Sequence, residues 1–396
     1  MLSFARVVIF LVNFLKGALQ RELNEFFQVL RGTDVAERVV TKSAMCAARK
    51  KLKPSAFVEL NEHLVRQWYR LAPVRRWQGL DLRSVDGTTL RLPNTPEVTD
   101  FFGQMEPALG DPVTMARASH LYDPLNGLVL DAVIAPYHHD ERSMLVEHLK
   151  GLTAGSMLLL DAGYPAFWLF ALLQARKIAW CARMPLDSWT VVRDFLAKGQ
   201  EDRVVTLHPT AAMRAECAKR DAPAKPLRVR LVRVLLSTGE VEILMTSLLD
   251  SEEYPTGCFA ELYFLRWGHE EHYKRFKSRL EVENWSGVTI LTVYQDFFAK
   301  VFSLNLTMVM SNTSQEIVEV RHANDKHPKQ VNVAHALCVM KDAVVRLLSS
   351  SNPLPLLRTL IETIASTVEP ARQQRVYPRQ KGPRLHGYHM TYKPCT

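Results

Sequence analysis

The segment 156–165, SMLLLDAGYP, constrains the fold class more than any other stretch. Its apolar run is too short for a helix and apolar on both faces, so it reads as a strand buried on both sides of a sheet. The run ends on Asp161 at a Gly turn. A carboxylate at the end of a buried strand is costly unless something pairs with it, and a divalent cation is a ready partner. PAFWLFALLQARK, opened by Pro165, then reads as a helix, and IAWCARMP as another strand. Upstream, GLDLRSVDGTTLRLP holds an extended segment reaching Asp86 before a Gly turn. VTMARASHLYDP and GLVLDAVIAPYHH are two further strands, parted by Asp-Pro and Asn-Gly turn signals. DERSMLVEHLKGL is a helix capped at Asp140. The order is β-β-β-α-β-α-β, an α/β chain with a mixed sheet flanked by helices.

Further on, FAELYFLRWGHEEHYKRFKSRL (259–280) has no Pro, one Gly and apolar residues at helical spacing. With Tyr263 at zero and about 100° per residue, Leu262, Leu265, His269, Tyr273, Phe276 and Leu280 fill the core-facing stripe. Glu261, Gly268, Glu271, Arg275 and Arg279 face water. Tyr263, Arg266, Glu270 and Lys277 belong to neither side; they form a narrow polar line on the shoulder of the buried face. A solvated salt-bridge face is the ordinary reading of such a helix. Here the solvated charges lie on another side, and a carboxylate between Arg and Lys suits a phosphate site.

The spacing Tyr-x2-Arg-x3-Glu-x6-Lys resembles the YREK signature of a group of bacterial insertion-sequence DDE transposases, the insertion sequence type four family. The surrounding RWxxEExxKxxK texture, and the segments DGTTLRLP and LLLDAGYPAFWLF, are similar to that family's as well. The resemblance implies a ribonuclease H-like catalytic core, whose strand order matches the one above. It implies a catalytic and metal-binding triad of Asp86, Asp161 and Glu270, with Asp86 and Asp161 side by side. It also implies two Mg²⁺ or Mn²⁺ ions, and DNA contacts from Tyr263, Arg266, Trp267, Lys274 and Lys277. Other carboxylates have plainer readings. Asp81 and Asp131 are followed by more strand, and no turn opens a site there. His138, His139, Asp140 and Glu141 look like a metal cluster on paper but read as cap and solvent residues at a helix start.

The 109 positions from Asp161 to Glu270 exceed one helix and one strand. LRVRLVRVLL and VEILMTSLL read as a β-hairpin within a β-rich insertion, 185–257. The family places a DNA-handling domain at this point; a structural flap fits the residues equally. Residues 77–320 form the expected catalytic domain. Residues 1–76 are a helical N-terminal region: an amphipathic helix over 4–31, a second from Thr41 or Ser43 through Leu52, and a third opened by Pro54. Arg49, Lys50, Lys51 and Lys53 at their junction suit either a DNA-binding unit or an ordinary helical hairpin with a basic edge. Residues 321–396 form a helical C-terminal region with a basic tail, after a polar connection over 313–333. In that tail Tyr377, Tyr388 and Tyr392 suit base stacking or a solvated segment.

Of the 396 residues 47% are hydrophobic and 23% charged, which is globular. The net charge of +9 is unevenly placed: segments 38–53 and 370–396 together carry +12, leaving −3 for the rest. Such clusters fit a polyanion partner. The six cysteines include no CxxC pair, which argues against a zinc site or a disulfide framework and for a reducing cytoplasm. Residues 7–12 are the longest early apolar run and cannot span a bilayer, so no membrane partner is expected. The combined expectation is a cytoplasmic, nucleoid-associated DNA transposase. It would cleave transposon ends at their terminal inverted repeats and transfer the strands into target DNA, both ends being joined by a homodimer. Its alternatives are a ribonuclease H-like nuclease without strand transfer, and a catalytically inactive DNA-binding derivative.

Overall fold

Helix caps and strand turns divide the chain close to where its residues suggest. The computed structural model describes residues 2–13, 15–107, 110–236 and 239–371, so the tail tyrosines lie outside the described residues. Four helices come first: α1 (Phe4–Leu11), α2 (Leu19–Arg31), α3 (Lys42–Arg49) and α4 (Ser55–Leu71). The single helix expected over 4–31 is divided, because the amides of Lys16 and Gly17 leave the helical path and donate to the Glu22 carboxylate at 3.0 and 2.6 Å. Gly32 closes α2 in the left-handed conformation, where a side chain would be strained. Thr41 caps α3 through its hydroxyl.

The middle of the chain runs β1 (Asp81–Arg91), α5 (Pro96–Phe102), β2 (Gln104–Met105), β3 (Val113–Asp123), β4 (Leu128–Pro136), α6 (Glu141–His148), β5 (Ser156–Leu160), α7 (Phe167–Ala175) and β6 (Ala179–Met184). This is the expected order with one added excursion, α5 and β2. Next come α8 (Thr190–Ala197), β7 (Asp202–Leu207), α9 (Ala211–Lys219), β8 (Leu227–Leu235) and β9 (Val241–Thr246). Among the described residues these strands form one nine-stranded mixed sheet, ordered β2-β3-β1-β5-β6-β9-β8-β7, with β4 also on β3. The pairs β1–β5 and β5–β6 are parallel. The hairpin β8–β9 forms as expected, yet segment 185–257 does not build a sheet of its own. Strand β9 pairs antiparallel with β6, covering an edge that would otherwise stay unpaired. An Arg183–Glu242 pair at 3.0 Å joins the two strands.

Strand β5 shows why its residues are apolar throughout. Leu158 and Leu160 enter one buried cluster with Phe170, Trp180 and Leu145, while Met157 and Leu159 enter another with Phe259, Leu262 and Tyr263. The remainder is α10 (Cys258–Phe264), α11 (Trp267–Lys274), a π-helical turn Arg275–Arg279, α12 (Ile290–Arg321), β10 (Lys329–Val331), α13 (Val333–Ser349), α14 (Leu354–Ala365) and β11 (Val368–Pro370). The polar connection expected over 313–333 is helical to Arg321. There Thr313 and Ser314 hydroxyls donate to the carbonyls of Val309 and Met310, so polar side chains are satisfied within the helix. No helix among the described residues is long and apolar enough to cross a membrane.

Candidate active site

The site forms where β1 and β5 run parallel. Ser84 stands opposite Leu159 in the β1–β5 register, so two further residues on each chain bring Asp86 level with Asp161. A turn follows Asp161, but the Gly turn expected after Asp86 does not form, because β1 stays paired with β3 through Gly87 to Arg91. In both places a glycine amide holds one carboxylate oxygen, Gly87 N–H donating to Asp86 Oδ1 at 2.8 Å and Gly163 N–H to Asp161 Oδ1 at 2.7 Å. Both carboxylates are thereby oriented.

The helical stretch 259–280 crosses this point, but not as one straight helix. Amides of Arg266, Gly268 and His269 bond three residues back, a tight 3₁₀ pattern between α10 and α11. Arg275–Arg279 is then underwound, with Leu280 N–H reaching Arg275 O five residues back. The uniform 100° wheel therefore drifts. Tyr263 and Arg266, expected on a shoulder, are 4% and 3% exposed. Tyr263 lies against the end of β5, its hydroxyl 3.4 Å from Leu160 O. Arg266 Nη2 donates to Glu270 Oε1 at 2.9 Å and Nη1 lies 3.6 Å from Asp86 Oδ2, so one guanidinium joins two of the three expected carboxylates. It also lies over the rings of Tyr263 and Trp267, at 5.6 and 5.9 Å. Lys277 stands apart, donating to the Thr89 carbonyl of β1 at 2.7 Å. Lys274 is exposed and pairs with Glu271 on the outer face.

Electrostatics mark Asp86. Burial pushes its carboxyl up to about 7; Arg266 opposes this, while the charges of Asp161 and Glu141 add to it. Beneath the site, α11 docks on β1 and β3 through imidazoles: Ser84 with His269 at 2.8 Å, and His120 with His272 at 2.7 Å. Tyr273 donates to Asp86 O at 2.8 Å and accepts the His120 amide at 3.1 Å.

Glu141 escaped the reading of its residues as cap and solvent groups. Asp140 does cap α6, accepting the Ser143 amide at 3.0 Å. Glu141 instead packs on Gly87, where an added Cβ would come within 2.6 Å of its carboxylate, and it pairs with Arg117 at 2.6 Å. Its neighbour Arg142 donates to Gly163 O at 2.8 Å. The first turn of α6 thus packs on the Asp86 strand and holds the turn after Asp161. No signal within a few residues of Glu141 announces this, because its partners come from β1 and β3. Asp81 and Asp131 have partners of their own: Arg76 at 2.8 Å for the first, His148 at 2.8 Å for the second.

Residues 77–306, more than half of the chain, match the family described as a transposase DDE domain. The chain belongs to this family. It is similar to the transposase InsG for insertion sequence element IS4 of Escherichia coli (strain K12), at 25% identity over 355 residues, 86% of this chain and 76% of the relative. Among solved structures, a cryo-EM structure of a piggyBac transposase synaptic complex with hairpin DNA aligns with a TM-score of 0.45 and 10% identity, over 91% of this chain and 74% of that one. The insertion-sequence type of DDE transposase that the YREK spacing suggested is therefore the right one, and the chain is a DNA transposase. Enzymes of this family work with divalent metal ions. The chemistry of the donors in this transposase fits such an ion: hard carboxylate oxygens, one of them on a carboxyl that burial and its acidic neighbours hold above the usual range. Among the described residues no three His, Cys, Asp or Glu side chains converge closely enough to hold a metal as they stand. The Arg266 guanidinium provides the positive charge between Asp86 and Glu270.

Proposed function

We propose that Asp86, Asp161 and Glu270 are the catalytic carboxylates of this transposase, on a core of ribonuclease H-like type within residues 77–320. The observation that carries this is the level placement of Asp86 and Asp161 on parallel neighbours, with Glu270 tied to Asp86 through Arg266. The three carboxylates would hold two Mg²⁺ or Mn²⁺ ions. Bound there, such ions make water or a 3′-hydroxyl nucleophilic and neutralise the leaving oxygen at phosphorus. The protein's own part is orientation. Gly87 and Gly163 amides hold one oxygen of each aspartate, Arg266 stands by the other oxygen of Asp86, and Tyr273 fixes the Asp86 backbone.

Arg266 and Lys277 meet DNA phosphates in this reading, with Tyr263, Trp267 and Lys274 around them. Burial of Arg266 confines its contact to the floor of the site, next to the reacting phosphate, whereas Lys274, on the outer face with Glu271, would meet DNA outside the carboxylate site. DNA is the substrate, as terminal inverted repeats and as target, and a homodimer joining two ends in the cytoplasm completes the proposal. Segment 185–257 flanks the β6 side of the sheet, where it would extend a DNA-binding surface.

Glu270 is distinguished from its neighbour by substitution. Glu270→Gln keeps the size of the side chain and removes the anionic oxygen that a hard cation requires. It is expected to bind end duplex normally and to lose cleavage in Mg²⁺ by at least about a hundredfold. Glu271→Gln, on the outer face, is expected to stay within about twofold of the native rate. Both are read from strand cleavage of one labelled end duplex; the reverse pattern would refute the assignment.

A further inference from the structure

Arg183 stands in line with the two aspartates of the site. Strand β6 runs parallel to β5, and Leu160 faces Ala182 in their register, so one further residue on each chain brings Asp161 level with Arg183. Neighbouring strands lie about 4.8 Å apart, which puts Arg183 one strand from Asp161 and two from Asp86. Side-chain alternation puts all three on one face. Leu82 on β1, Leu159 on β5 and Cys181 on β6 share the buried cluster beneath α10, and Asp86, Asp161 and Arg183 each follow by an even number of residues. Tyr263 of α10 covers the same edge, its hydroxyl beside Leu160 O.

The partners of Arg183 leave much of its guanidinium unused. Nη1 donates to Glu242 Oε1 of β9 at 3.0 Å. Nε is buried without a partner; Nη2 also lacks a hydrogen bond among the described residues but, unlike Nε, is not closed off from solvent. A guanidinium carries five N–H donors, and the one carboxylate oxygen engages one of them. The side chain remains 15% exposed. Arg266, by contrast, is 3% exposed and already joined to two carboxylates. Arg183 is thus the cation on this edge with donors to spare, and planar guanidinium forks suit phosphate oxygens. We propose that Arg183 is a further substrate contact, donating to a phosphate next to the scissile one on the β6 side of the site. Glu242, on the β8–β9 hairpin, holds the guanidinium in place until DNA arrives. The inference rests on the reading of Asp86 and Asp161 as the reaction centre.

A pair that only clamps β6 to β9 would make the loss of either partner equivalent, and binding separates the two cases. End-duplex affinity is measured without divalent ions over a range of salt for Arg183→Gln, Glu242→Gln and the double variant, which strands no charge. Arg183→Gln and the double variant should each bind about tenfold more weakly. Both should lower the slope of log K against log salt by about one, the loss of one phosphate contact. Glu242→Gln keeps the cation and should bind at least as tightly as the native protein, with an undiminished slope. A second readout locates the contact. A neutral methylphosphonate placed singly at each phosphate flanking the scissile one should weaken native binding at one position, and at that position the double variant should lose nothing further. A native slope in the double variant, an equal loss in Glu242→Gln, or a methylphosphonate effect undiminished in the double variant would each overturn the contact while leaving the carboxylate assignment intact. Cleavage that survives Asp86→Asn would overturn both.

Discussion

At the scale of single residues, Asp86 shows how position changes the proton affinity of an ordinary carboxyl. Burial raises it to about 7 and Arg266 restrains the rise. The sign follows directly. An aspartate whose pKa is higher in the folded state stabilises the fold below its ordinary 3.8, and this contribution is lost as pH rises through about 7. Cation binding at the proposed carboxylates would run the other way, because the proton must leave first. Mn²⁺ affinity, measured by calorimetry without DNA, is expected to weaken by about tenfold per pH unit below about 7, with one proton released on binding. Arg266→Gln removes the charge that lowers the pKa and should shift this limb to higher pH. A profile flat from pH 5.5 to 8 would show that Asp86 does not control the cation.

At the scale of elements, the helical stretch 259–280 is held by its irregularities as much as by its periodicity. A 3₁₀ step sends Arg266 inward, and a π turn brings Lys277 to β1. Between them α11 rests on three imidazoles, His120, His269 and His272, each kept neutral by burial, with pKa values well below 6.5. The unfolded chain would take up these protons near 6.5, so the stability from keeping the rings neutral is present above that pH and lost below it. Well below pH 6.5 the loss approaches about 1.4 kcal/mol per pH unit for each ring. Three such protons outweigh the opposing one on Asp86. Urea unfolding at pH 7.5 and 5.5 should therefore show a marked fall in stability. His272→Phe, which keeps the stack on Phe276, should lessen the slope by about one proton. Equal midpoints at the two pH values would rule out the neutral cluster.

At the scale of the whole molecule, the terminal helices and the catalytic segment share one core. Phe10, Phe26 and Phe57 near the N-terminus, Leu90 and Ile134 of the sheet, Phe297 of α12 and Ile364 near the C-terminus belong to one apolar cluster. A buried ion pair seals the junction: Arg49, expected on a basic edge, donates to Asp296 at 2.6 Å and to Ser286 at 2.7 Å. Removing one partner of such a pair strands a buried charge, so Arg49→Met is expected to cost about 3 kcal/mol in urea unfolding. A fragment of residues 77–320 would expose the α12 face that the terminal helices cover. It should aggregate or lack a cooperative unfolding transition; a soluble fragment with a sharp transition would show the terminal helices to be separable.

The sequence by itself determined what depends on neighbours a few residues away. The apolar run before Asp161, the Gly turn after it, the Thr41 cap and the β8–β9 hairpin are decided by periodicity, turn chemistry and capping, all short-range effects. The turn expected at Gly87 is overridden by the pairing of β1 with β3. The YREK spacing was legible too, because residues three and four apart on a helix share a face. Only the tertiary structure decided which charges meet. Arg266 lies 180 residues from Asp86, Glu141 55 residues, and Arg49 247 residues from Asp296. Whether a cation faces DNA, a carboxylate or the core depends on burial and on the chains brought beside it, and periodicity carries neither. The same holds for β9 on the edge of β6, where strand pairing is chosen by which edge is open.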